Sequence, residues 1–133
     1  MVTTSRPSPE DRPLSAKETA LVVWMLEHGD ARAAAALPQV ERARVISRCG
    51  CGCASVDFSV DGVSPLPRSK MEIVSDYCWF TERGNLCGAS VFLRAGRLAG
   101  IDVWSIDGVE TPRELPDPEQ LRPRTPHLRR FDA

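Results

Sequence analysis

Residues 71–106 constrain this chain more than any other stretch. Three runs rich in β-branched and aromatic residues, 71–80, 86–94 and 97–106, are separated by Thr81-Glu82-Arg83-Gly84-Asn85 and by Ala95-Gly96, and the third ends at Asp107-Gly108. Branched and aromatic side chains fit a pleated surface, while Gly, Asn and Asp tolerate the backbone conformations of tight turns. Breaks this short imply an antiparallel meander. Upstream, residues 54–60 alternate Val56, Phe58 and Val60 with Ser55, Asp57 and Ser59, so one face of that strand is buried and the other is wet. A further strand is predicted over 43–49, giving about five in all.

The helical signals lie N-terminal to the strands. Ser15-Ala16-Lys17-Glu18 fits a capping box, in which the Ser15 hydroxyl and the Glu18 carboxylate each satisfy an unpaired backbone N–H. Gly29 is placed to end that helix in a left-handed conformation. Leu21, Trp24, Met25 and His28 share a face, but Val22, Val23 and Leu26 make the remainder apolar too. A helix this apolar is either enclosed in the core or covered by a partner chain, which nominates Val22, Trp24 and Leu26 as a partner-binding surface. Asp30 caps a short alanine-rich helix over 31–37, which Pro38 stops, and 39–42 is a connector of about one turn.

The expected fold is therefore α+β: a mainly antiparallel sheet of about five strands with one or two N-terminal helices packed on one face. Residues 14–121 form its single domain. Residues 1–13, with three prolines and no apolar periodicity, are expected to be a flexible or extended lead. Residues 122–133 carry Arg122, Arg124, Arg129 and Arg130 against one acid, Asp132, and are expected to be a basic, solvated tail.

Composition narrows the functional classes. At 133 residues the chain can build a core without staples, and a formal net charge of −1 gives no overall attraction to nucleic acid or to anionic lipid. No aromatic-studded basic surface accompanies the C-terminal arginines, so a nucleic-acid partner is not expected. The longest apolar run, 20–26, falls far short of the roughly 20 residues of a membrane span. The N-terminus shows no apolar secretory segment. Five cysteines, an odd number with three crowded together, argue against a disulfide framework, so the expected compartment is a reducing cytoplasm.

That crowded group, Arg48-Cys49-Gly50-Cys51-Gly52-Cys53, is the one cluster that can carry chemistry. If extended, it would put all three thiols on one face; if bent at its glycines, it can fold around an ion. Three thiolates joined by Cys78, Cys87 or His28 would suit zinc, although zinc knuckles normally space their cysteines by two or more residues. Thiol redox chemistry is the next possibility, with Arg48 favouring thiolate, but a Cys-x-Cys disulfide closes a small, strained ring. The plainer reading, small and mostly buried residues at a strand–turn–strand junction, is favoured over both. His28 itself is more simply a polar residue on the last helical turn than a ligand.

Acid–base catalysis has less support. Asp57, Glu72, Asp76 and Asp102 lie on predicted strands, where acids on a wet face are commonly just solvated. Only two histidines are present, and no nucleophile elbow or phosphate-cradling glycine loop occurs. No catalytic residue is assigned, and an enzyme is not the expected class.

Four segments carry a resemblance: Leu14-Ser15-Ala16-Lys17-Glu18-Thr19; Ala43-Arg44-Val45-Ile46-Ser47-Arg48-Cys49-Gly50-Cys51-Gly52-Cys53; Arg94-Ala95-Gly96-Arg97-Leu98-Ala99-Gly100-Ile101-Asp102-Val103; and Leu115-Pro116-Asp117-Pro118-Glu119-Gln120-Leu121. Through them the chain resembles a group of small bacterial proteins without an established activity, and more distantly small immunity-type proteins that bind a partner. The resemblance implies an α+β fold and transfers no catalytic residue. The leading functional expectation is a non-enzymatic module that associates with itself or with another protein. The alternative is a cysteine-ligated zinc or thiol-redox protein using Cys49, Cys51 and Cys53.

Overall fold

The computed structural model describes residues 8–65 and 69–124. The expected α+β architecture is present: two α-helices packed on one antiparallel sheet. The sheet has seven strands rather than five. In chain order these are β1 (Ser8–Pro13), β2 (Ala43–Arg48), β3 (Val56–Val60), β4 (Met71–Phe80), β5 (Leu86–Arg94), β6 (Arg97–Ser105) and β7 (Arg122–Pro123). Their spatial order is β1-β2-β3-β6-β5-β4-β7, and every neighbouring pair is antiparallel. The meander β4-β5-β6 forms the larger part. It meets β3 along a short seam in which Val56 pairs with Ile101 and Asp57 with Gly100.

The two added strands are the edges. Ser8–Pro13, expected to be a flexible or extended lead, pairs with β2 from Ser8 opposite Arg48 to Pro13 opposite Arg44. Its side chains are polar, so no apolar alternation marks it. Arg12 instead clips it to the helix beneath, donating to both carboxylate oxygens of Glu18 at 2.8 and 2.9 Å. The start of the expected basic tail, Arg122–Pro123, pairs with Cys78 and Tyr77 of β4. Residues 1–7 and 125–133 of the predicted lead and tail lie outside the described residues.

Helix α1 (Ala16–Glu27) begins as expected. The Glu18 amide donates to Ser15 Oγ at 3.1 Å, and the Ser15 amide donates to the Glu18 carboxylate at 2.8 Å. Its end differs from expectation. His28 caps the helix, and Gly29 is not left-handed. Gly29 is required for space instead: a Cβ there would run into the Val74 carbonyl oxygen and Ala33, where the Asp30 amide donates to Val74 O at 2.9 Å. Helix α2 (Ala31–Ala36) is capped by Asp30, whose side chain accepts from the Arg32 and Ala33 amides, and a 3-10 helix (Leu37–Arg42) leads into β2.

The core lies between the helices and one sheet face. Leu21, Val22, Met25 and Leu26 of α1 are fully buried against Val45, Phe58, Val91, Leu98 and Ile101. Burial of each such side chain stabilises the fold by about 1.5–3 kcal/mol. The opposite face carries a hydrogen-bonded polar row. Ser47 donates to Asp57 at 2.7 Å, Ser55 to Asp102 at 3.0 Å, and Ser90, opposite both Asp76 and Asp102, to Asp76 at 3.4 Å. Among the described residues no helix is long and apolar enough to cross a membrane.

A candidate thiolate metal centre

Between β2 and β3 the chain does not stay extended. Residues 49–55 form a bent loop tied at three points. The Cys49 amide donates to Ser55 O at 3.1 Å, the Gly52 amide to Cys49 O at 3.5 Å, and the Ala54 amide to Pro112 O at 3.0 Å. Gly52 has φ +94°, in the left-handed region that favours glycine. The Arg113 guanidinium rests on it, with Nη1 2.9 Å from the position a Cβ would occupy.

This bend brings the Sγ atoms of Cys49, Cys51 and Cys53 within 4.8 Å of one another. Among the described residues no other group of three or more metal-ligating side chains converges in this way. Two backbone donors point at the sulfurs: the Cys51 amide at Cys49 Sγ, 3.4 Å, and the Cys53 amide at Cys51 Sγ, 3.3 Å. Hydrogen bonds from amides favour the thiolate over the thiol. Cys53 is buried, Cys49 half-buried and Cys51 exposed, so the expectation of three mostly buried packing residues fails at Cys51.

Cys49 Sγ and Cys51 Sγ are 2.7 Å apart. Either thiol can donate to the other at this separation. Burial and donation to Cys51 push the Cys49 thiol up to about 12, while that same hydrogen bond, received from Cys49, holds Cys51 below its ordinary value. Two thiolates on one tetrahedral zinc, with bonds of about 2.3 Å, stand about 3.8 Å apart, so this pair must open by about 1 Å to hold an ion. The arrangement is thus a three-sulfur set, part buried and part open to solvent. It can take up a soft cation, or its close pair can lose two electrons and two protons to an oxidant.

The other nominated ligands do not join it. Cys78 is buried, with Sγ 3.6 Å from Arg122 O. Cys87 is fully enclosed in the core, and burial, with Glu110 and Asp107 nearby, pushes its thiol up to about 11. His28 stacks on Trp24 with ring centroids 3.9 Å apart and engages the Trp24 carbonyl through Nδ1 at 2.8 Å. Its part is that of a helix cap.

The partner-binding surface nominated on α1 is also corrected. Val22 and Leu26 are fully buried in the chain's own core, because the sheet covers the side of the helix they occupy. Trp24 is half-buried between His28 and Tyr77. Beside α1, apolar surface lines a groove of about 720 Å³ whose walls include Leu14, Val23, Leu37, Pro38 and Val40. Asp57, Asp76 and Asp102 are spread along the polar row, and Glu72 pairs with Arg32 at 3.3 Å. None of these four acids lines that groove or the polar cleft of about 580 Å³ beside Arg83, Glu110 and Arg113.

In comparisons with known proteins, no family model, no curated protein and no solved structure matches this chain.

Proposed function

We propose that this protein binds a soft metal ion, zinc foremost, through Cys49, Cys51 and Cys53. The observation that carries this reading is the convergence of three sulfurs on one tied loop, with amides already donating to two of them. Thiolates suit zinc and monovalent copper better than hard cations, and three of them from one loop supply most of a tetrahedral set. The amide hydrogen bonds act as outer support, orienting the sulfurs and stabilising their anionic form.

Native mass measurement with elemental analysis tests it. One zinc per chain is expected in wild type and in the Cys78→Ser variant, with loss of zinc on chelation and in a Cys49→Ser/Cys51→Ser/Cys53→Ser variant. A folded wild-type chain that takes up no thiophilic ion would refute the reading. Rapid formation of a Cys49–Cys51 disulfide by a mild oxidant would then favour a redox pair, for which the 2.7 Å contact is the supporting observation.

Self-association is the second reading, supported by the groove beside Val23 and Val40. A second copy of this chain is the occupant to test, by light scattering across a concentration series. A monomer at all concentrations removes it.

A further inference from the structure

If the loop binds an ion as proposed above, its own donors end at three. We propose that the remaining position is filled by a thiol from outside the chain, so that the loop holds its ion for exchange rather than locking it away. This rests on the metal reading of the preceding subsection. Structural zinc sites are closed by four protein ligands, whereas sites with three keep a position for a molecule from solution.

Three observations support an open position. Among the described residues no fourth cysteine, histidine or carboxylate joins the sulfur group, and the two other cysteines are buried elsewhere. The middle ligand of the loop, Cys51, is exposed. Beside the loop stands a cation, the Arg113 guanidinium resting on Gly52, held there by a segment that also accepts the Ala54 amide through Pro112 O.

Charge favours the same reading. Three thiolates around a divalent ion sum to −1, and an incoming thiolate brings the cluster to −2. A guanidinium beside the loop offsets that charge and attracts an anionic ligand. In the exchange the incoming thiol gives its proton to solvent as its sulfur–metal bond forms, and a metal-bound water leaves. No electron is transferred. Arg113 is a positioning residue for the incoming ligand and touches no protein sulfur in this assignment.

Cobalt(II) serves as the probe, with the full chain reduced by a phosphine and kept free of oxygen. One cobalt per chain is expected, with a thiolate-to-cobalt absorption that rises by about one third when 2-mercaptoethanol is titrated in, as three sulfur bonds become four. In Arg113→Ala the cobalt stoichiometry stays at one while the thiol concentration for half-saturation rises several-fold. Arg113→Lys recovers most of the difference. Four-sulfur absorption before any thiol is added, one ion shared by two chains, or removal of the cobalt by the thiol without a mixed species would each overturn the open-position inference and leave the metal reading standing. Unchanged half-saturation in Arg113→Ala overturns the part assigned to Arg113. No cobalt or zinc uptake at all overturns the metal reading itself.

Discussion

Gly88 of β5 lies against the indole of Trp104, its register partner on β6, so closely that a Cβ at Gly88 would stand 2.5 Å from Cζ2 and 2.6 Å from Cε2 of the ring. The Arg124 guanidinium lies over the same ring, 5.4 Å from its centroid. Gly88 is on a central strand and Trp104 cannot retreat without disturbing that cation. Gly88→Ala is expected to cost about 1–3 kcal/mol in urea unfolding, as overpacked sites do. Adding Trp104→Leu should recover part of that loss. A neutral Gly88→Ala would show that the ring yields.

The clip between Arg12 and Glu18 gives a pH-dependent prediction. Burial raises the Glu18 carboxyl, but the Arg12 hydrogen bonds and the Ser15 amide outweigh it and hold the group below the usual carboxylate range. A lowered folded value means stability that is present above the unfolded pKa, about 4.3, and lost as pH falls through the folded one. Glu18→Gln should therefore destabilise by about 1–2 kcal/mol at pH 7, with the gap to wild type closing below pH of about 4. Denaturant midpoints across pH 3–7 (a range of roughly four units about the reference value) measure it.

Asp102 behaves in the opposite sense. Burial pushes its carboxyl up, opposed by the Ser55 hydroxyl and reinforced by Asp57. Here the folded state holds its proton more tightly than the unfolded chain, so stability is lost as pH rises from the unfolded value through the folded one. Asp102→Asn should raise Tm at pH 7 and leave it unchanged at pH 3. The group is partly open to water, so the gain is small, about 1–2 °C.

Thiol accessibility in the metal-free protein should follow position in the loop. Cys51 is exposed and receives hydrogen bonds that favour thiolate, Cys49 keeps its proton to about 12, and Cys53, Cys78 and Cys87 are buried. Brief treatment with iodoacetamide at neutral pH should label Cys51 first, as peptide mass mapping would show. Prior labelling of Cys87 would contradict the packed core described here.

Much of the fold was legible from local chemistry. The meander follows from its branched runs and its Gly and Asp breaks, and the start of α1 from Ser15 and Glu18. The edge strands were not legible, because Ser8–Pro13 and Arg122–Pro123 carry no apolar alternation. They are strands only through pairing with β2 and β4. Gly29 misled for a related reason: a glycine one residue past a helix suggests a left-handed stop, whereas its small size serves contact with Val74, 45 positions along the chain. At the candidate site the residues were visible and their arrangement was not. Alternating Cys and Gly fits an extended strand as well as a bend, and the bend is tied by the Ala54 amide to Pro112 O, almost sixty positions along the chain, which no local pattern reveals.

The margins of the sheet end in residues that resist recruitment of another strand. β1 carries Pro9 and Pro13 with Glu10, Asp11 and Arg12 between them, and β7 is an arginine followed by a proline. Proline offers no amide to a newcomer, and charge discourages stacking of like margins. Addition of a further strand is thereby disfavoured along β1 and at the two residues of β7, whereas β4 from Met71 to Asp76 has no strand beyond it among the described residues, so sheet extension is left to that short stretch.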